Sequence, residues 1–135
     1  MRIRRARPED WPEIFRLAQK YSLDYPGMEA DEFWVAEEKG ELVGIVGLKA
    51  FPAGQELCAL GVEEYWRGRG LGRRLVRAIL KRAGRDLYLA TVVPGFFSRL
   101  GFRKAEAIPS SMLKDPAWCA GCAKDGCTVM VMKKR

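Results

Sequence analysis

The chain has 135 residues, 48% of them hydrophobic and 30% charged, with a formal net charge of +7. Those values fit one globular domain with one core and exclude a disordered composition. No apolar run approaches a membrane span, and the absence of His rules out imidazole bases and imidazole metal ligands. The charged start runs straight into Arg7-Pro8-Glu9-Asp10 without a signal-peptide core, so a cytoplasmic location is expected.

Ile3 and Ala6 predict a first strand over 1–6. Pro8, Glu9, Asp10 and Pro12 suit a helix start, and Trp11, Ile14, Phe15, Leu17 and Ala18 recur at helical spacing as far as Lys20 or Tyr21. Residues 21–28 read as a loop or a short second helix. Phe33–Glu37 and Leu42–Leu48 read as an antiparallel strand pair around a hairpin turn over 38–41, with Gly40 near its tip. A second turn over 51–54 leads to a strand at Glu56–Val62. A helix is expected over Leu71–Ala83 with Gly84 as its C-cap, then a buried strand over Leu87–Val93. Strand, helix and strand of these lengths imply a right-handed parallel crossover. A short helix over Pro94–Leu100 stopped by Gly101, a strand over Phe102–Ala107, a connection over 108–127 and a last strand over Thr128–Met132 complete the pattern.

The junction between the Glu56–Val62 strand and the next helix is the most informative stretch. It reads Glu63-Glu64-Tyr65-Trp66-Arg67-Gly68-Arg69-Gly70-Leu71-Gly72. Glycines allow a sharp turn and a close backbone approach. The first N–H groups of a helix lack partners, and the helix dipole adds positive charge there. Strand, glycine turn and helix N-terminus together suit a phosphate or pyrophosphate. Arg73-Arg74 stands where a Walker loop needs Lys and Ser or Thr, and the glycine spacing is too tight for a dinucleotide fingerprint. The bland alternative is a glycine turn with solvated arginines. The arginines cluster around this turn and the following helix instead of forming a basic stripe with interleaved aromatics. That favours a polyanionic small ligand, with no nucleic-acid partner and no membrane.

Arg67, Gly70 and Gly72 in the order Arg-x-x-Gly-x-Gly resemble the acyl-CoA loop of the GNAT acyltransferase superfamily. Phe96-Phe97-Ser98-Arg99-Leu100-Gly101-Phe102 is similar to that family's FYxxxGF element, and the opening Ile-Arg-x-Ala-x-Pro-Glu-Asp fits its first strand and helix. The resemblance covers nearly the whole chain. It implies an α+β (α/β/α) GNAT acyl-CoA N-acyltransferase fold, a single domain over 1–135, and a mixed central sheet splayed between its fourth and fifth strands. It further implies an acetyl-CoA-dependent N-acetyltransferase that passes acetyl directly to a small amine.

By the same resemblance, the pyrophosphate rests on the backbone of Arg67, Gly68, Arg69, Gly70, Leu71 and Gly72. The pantetheine pairs with the edge of Leu60, Gly61 and Val62. The N–H near Leu60 is the oxyanion donor and Glu56 the general base, against the bland reading of Glu56 as an ordinary carboxylate near a turn. Phe97 takes the place of the tyrosine that usually protonates coenzyme A in the cofactor site. Ser98, Tyr88, Tyr25 or a cysteine could substitute, or the thiolate could leave unassisted. This departure keeps a second reading open, a non-catalytic acyl-CoA sensor or interaction module.

The Phe96-Phe97 pair and the strand Glu56–Val62 also resemble the acetyltransferase domains related to N-acetylglutamate synthase, which implies an amino-acid acceptor such as glutamate. Arg5, Lys49 and Lys104 are then candidate carboxylate partners, while Asp24, Tyr25 and Glu29 could equally read a cationic amine. A homodimer stays open. Cys119, Cys122 and Cys127 give C-x2-C-x4-C, and Cys58 is the fourth cysteine. Reduced or redox-active thiols rank ahead of a metal site, and a nucleophilic acyl-cysteine comes last.

Overall fold

The computed structural model describes residues 1–109 and 127–134. Strands β1 (Arg2–Arg5), β2 (Glu32–Glu38), β3 (Glu41–Phe51), β4 (Gly54–Val62), β5 (Leu87–Thr91), β6 (Arg103–Lys104) and β7 (Thr128–Met132) form one sheet in the order β1-β2-β3-β4-β5-β7-β6. All neighbouring pairs are antiparallel except β4 with β5. Helix α1 (Trp11–Lys20) follows β1, α2 (Leu71–Arg82) forms the β4–β5 crossover, and α3 (Pro94–Ser98) follows β5. No described helix is long and apolar enough to cross a membrane.

The two longer helices cover opposite faces of the sheet. The apolar stripe of α1, Ile14, Leu17 and Ala18, packs with Phe33, Val35 and Ile45. The stripe of α2, Leu71, Leu75, Val76 and Ile79, packs with Val43, Val46, Leu57 and Leu89. Covered on both sides, β3 is buried continuously from Leu42 to Leu48, which explains why its sequence is an unbroken apolar run without alternation. Each fully buried large side chain contributes roughly 1.5–3 kcal/mol. Glycines let the layers close: a Cβ at Gly44 would stand 2.9 Å from Leu75 Cδ1, and one at Gly47 would stand 2.7 Å from Phe33 Cζ.

Several boundaries differ from the sequence pattern. Strand β3 runs on to Phe51, so the second turn narrows to Pro52-Ala53. Residues 21–31 hold only a 3-10 turn at Met28–Ala30. Strand β5 stops at Thr91, leaving Val92 and Val93 exposed, and β6 shrinks to two residues. Gly84 is no left-handed cap. Helix α2 ends through an extended Ala83 (ψ 125°), and the N–H groups of Gly84 and Arg85 both donate to Gln55 Oε1, at 3.0 and 3.2 Å. A side chain from β4 therefore satisfies the backbone that a glycine cap would otherwise reorganise. Cys119 and Cys122 lie outside the described residues. Cys58 is partly buried, Cys127 is exposed, and the described residues contain no group of three side chains able to hold a metal ion.

Candidate active site

The β4–β5 pairing stops almost as soon as it starts. Its register is only Gln55↔Leu87 and Glu56↔Tyr88, although β4 continues to Val62 and β5 to Thr91. The two strands part beyond Glu56, and a V-shaped gap opens inside the sheet, as the sequence led us to expect.

A bulge shapes the β4 arm of that gap. Ile45 pairs with Gly61 and Gly47 with Cys58, so β4 carries one residue more than β3 between those pairs. Ala59 absorbs the irregularity with φ +49°, a conformation that L residues adopt at a cost. The Glu63 N–H donates to Val43 O of β3. By strand alternation the backbone groups of Val62, and of Leu60 beyond Gly61, turn to the open edge. Leu60 and Val62 side chains pack on the α2 face, and the place of a Gly61 Cβ is taken by Leu23, 2.6 Å away.

The glycine turn stands at the end of this arm. Gly68 and Gly70 both have φ +79°, and a Cβ at either would meet nothing within 4 Å. Gly70 is the N-cap of α2, so no side chain caps the helix start, and the first turn holds no acidic residue. Gly72 lies within that turn, its nearest would-be contact being Phe96 Cζ at 3.5 Å. The result is an open, uncapped helix N-terminus that fits a phosphate group.

The arginines of the motif divide. The Arg67 N–H donates to Glu64 O, its Nε donates to Val62 O at 3.0 Å, and its guanidinium stacks on Tyr21 at 4.7 Å. Arg67 thus braces the loop and covers one carbonyl of the open edge, while Gly68, Arg69 and Gly70 are exposed. Arg69 lies over Trp66 at 4.8 Å and is exposed, as are Arg73 and Arg74. Leu71 is buried and anchors α2 to the sheet. Behind the loop, the buried Glu63 carboxylate accepts from Lys20 at 2.9 Å and from Tyr21 Oη at 2.8 Å. Burial would raise its pKa, but these hydrogen bonds outweigh burial and hold it below the ordinary carboxylate range. The Tyr21 hydroxyl also accepts from the Glu64 N–H at 3.0 Å. The end of α1 is thereby tied to the start of the cradle.

On the α1 face of the gap, the register brings Lys49, Glu56 and Tyr88 into one row across β3, β4 and β5. Tyr25 reaches this face from the segment after α1. Its hydroxyl donates to Asp31 Oδ2 at 2.7 Å and lies 3.3 Å from Cys58 Sγ. Burial, and then the Cys58 neighbour, push the Tyr25 phenol far above its usual value. Burial likewise pushes the Cys58 thiol up to about 12, which makes it a poor nucleophile at neutral pH. Asp24, Glu29 and Ser98 are exposed. Phe97 is 5% exposed and packs edge-on against Phe96 (4.9 Å) and Phe102 (5.7 Å), so the hydroxyl missing at this position is replaced by aromatic packing. Arg5 is paired with Glu32 at 3.5 Å, and Lys104 lies on the short edge strand β6, away from the gap.

Two parts of this site carried no usable sequence signal. The left-handed Ala59 is invisible because alanine rarely takes that conformation. Asp31 and Glu63 read as ordinary surface acids until the fold brings tyrosines onto them.

Residues 29–104 match the model of the GNAT acetyltransferase domain. The chain belongs to the GNAT acetyltransferase family. The fold is the GNAT fold, acetyl-CoA is the cosubstrate, and the chain is an N-acetyltransferase. It is 28% identical to an uncharacterized N-acetyltransferase of Chlorobaculum tepidum, over 90% of this chain and 87% of that one. It is 34% identical to N-acetyltransferase 8B of Mus musculus over 63% of its own length, but spans only 41% of that relative. Among solved structures, Rv2747 of Mycobacterium tuberculosis in complex with CoA and NLQ superimposes with a TM-score of 0.79 and 22% identity, covering 100% of both chains. N-acetylglutamate synthase of Neisseria gonorrhoeae, complexed with coenzyme A and N-acetyl-glutamate, gives 0.81 and 25% over 99% of this chain and 35% of that protein. The narrower resemblance read from Phe96-Phe97 and β4 thus has a structural counterpart.

Proposed function

We propose that this GNAT N-acetyltransferase acetylates a small amine bearing a carboxylate, an amino acid of the glutamate class, with Glu56 as general base. The observation that carries this reading is the position of Glu56 at the apex of the gap. It is the last residue of β4 paired to β5, and it precedes the bulge that frees the backbone near Leu60.

In this reading the cradle Gly68–Gly72 holds the pyrophosphate, and the open edge at Leu60 and Val62 pairs with the pantetheine arm. The amine nitrogen attacks the thioester carbonyl carbon and loses a proton to the Glu56 carboxylate. The Leu60 N–H donates to the oxyanion. The carbon–sulfur bond then breaks and coenzyme A leaves as a thiolate that takes its proton from solvent. With Phe97 buried, no residue at that position supplies this proton. A thiol's ordinary pKa of about 8.5 makes unassisted departure affordable near neutral pH.

The test is thiol release from acetyl-CoA across a panel of amino acids and simple amines, with wild type and Glu56→Gln. The variant should lose roughly 10²- to 10⁴-fold in kcat, the usual worth of a general base, while its affinity for acetyl-CoA is retained. Unchanged turnover in E56Q removes Glu56 from the chemistry.

A further inference from the structure

The row Lys49, Glu56 and Tyr88 puts a cation one strand away from the candidate base, on the same face, because directly paired residues on neighbouring strands point the same way. Glu56 and Tyr88 form the last rung before the strands part, so Lys49 stands at the level of the apex. Its ammonium lies 4.1 Å from the centroid of the Tyr25 ring. Arg4 and Lys20, by contrast, are committed elsewhere in the molecule, Arg4 to Asp10 and Glu37 and Lys20 to Glu63.

The platform under Lys49 is fixed. Tyr25 cannot swing its side chain away without losing the Asp31 bond of 2.7 Å and the Cys58 contact of 3.3 Å, both made by its hydroxyl. A flexible lysine held over a rigid aromatic face loses less freedom on meeting an anion than a solvated one does. Its Nζ donates three hydrogen bonds, none of which the ring consumes as an acceptor would.

We infer that Lys49, held over Tyr25, receives the acceptor's carboxylate while its amine faces Glu56, and so selects amines that carry an α-carboxylate. An α-amino acid keeps both groups on one carbon. The residues that engage them must therefore be near neighbours on one face, as the directly paired Lys49 and Glu56 of β3 and β4 are. The inference rests on the acetyltransferase reading with its apex at Glu56, and it separates Lys49 from Arg5 and Lys104, which the sequence leaves equivalent. Tyr25 and Asp31 are then positioning residues, acting through Lys49.

The experiment measures initial rates with acetyl-CoA on matched acceptors, amino acids and the corresponding decarboxylated amines, for wild type, Lys49→Met and Lys49→Arg. Wild type should prefer the carboxylate-bearing member of each pair. K49M should raise KM for amino acids by roughly 10- to 100-fold, the worth of a charge-assisted hydrogen bond. It should leave the decarboxylated amines within about twofold, and K49R should recover part of the loss. A wild-type enzyme that turns over the decarboxylated amines as well as the amino acids overturns the inference and leaves the acetyltransferase reading intact. So does a K49M variant that loses both acceptor classes alike. Absence of acetyl-CoA binding by wild type, measured in parallel, would instead remove the reading on which the inference rests.

Discussion

Two buried carboxylates show how single residues hold this molecule together. Asp10 accepts from both terminal nitrogens of Arg4, at 2.7 and 3.0 Å, and from the Arg7 N–H at 2.7 Å. The Arg4 guanidinium, against the opposing effect of burial, keeps the Asp10 carboxyl below its ordinary value. Glu63 is depressed as well, by Lys20 and Tyr21 acting against burial. When a folded-state pKa lies below the unfolded one, the unfolded chain takes up the proton first, so the stabilisation is complete above the unfolded value and drains away as pH falls. With ordinary values of about 3.9 for Asp and 4.3 for Glu, loss should begin near pH 4.5 and deepen below pH 4. Denaturant midpoints between pH 3 and 7 should show this slope, and Asp10→Asn should flatten it. An unchanged slope in D10N would mean that the Arg4–Asp10 pair carries none of it. Removing Arg4 leaves a buried charge unpaired and should cost about 3 kcal/mol.

The elements themselves follow from pattern and local chemistry. The helix α2 stripe repeats at Leu71, Leu75, Val76 and Ile79, and all four side chains are buried. Leu75 is fully buried, against the glycine at position 44 that lets the helix approach. Leu75→Ala should therefore destabilise by about 2–5 kcal/mol without altering the cradle directly, as read by chemical denaturation. Such periodicity is why the order of strands and helices was legible in the sequence. Element ends were less so, because they are decided by partners far along the chain. Gly84 resembles a cap in sequence, yet the chain turns there on Gln55. Val92 and Val93 have strand propensity, but β5 ends at Thr91, whose Oγ1 accepts from the Val93 N–H at 2.9 Å. The glycine cradle was legible because glycine takes φ +79° without a side-chain penalty, and two alternate positions require it. The role of Arg67 was not, since its carbonyl and tyrosine partners become visible only when α1 and β4 meet.

At the scale of the whole molecule, one sheet interrupted at one place organises everything else. Apolar layers on both faces hold β3 and β4 rigid, while β4 and β5 share only two paired positions. A rigid sheet with a gap offers backbone groups that need no reorganisation when a ligand arrives, which is the physical basis for using this edge and the neighbouring helix start to bind a pyrophosphate-bearing thioester. In the proposed reading the donor half of the site is written in backbone and the acceptor half in side chains, namely Lys49, Glu56 and Tyr25. That division explains why the family is readable from the motif while the acceptor needs the register. The most direct test is calorimetric titration of acetyl-CoA into wild type and Gly70→Asp. The substitution places a carboxylate at the N-cap of α2, where the pyrophosphate would bind, in a left-handed conformation that aspartate tolerates at about 1–2 kcal/mol. Wild type should bind saturably. G70D should remain folded, with its Tm lowered by no more than roughly 10 °C, and should lose at least about 100-fold in affinity through charge repulsion and occupation of the helix N-terminus. Equal affinity in the two proteins, or no binding by wild type, would contradict the assignment of the Gly68–Gly72 cradle to the donor.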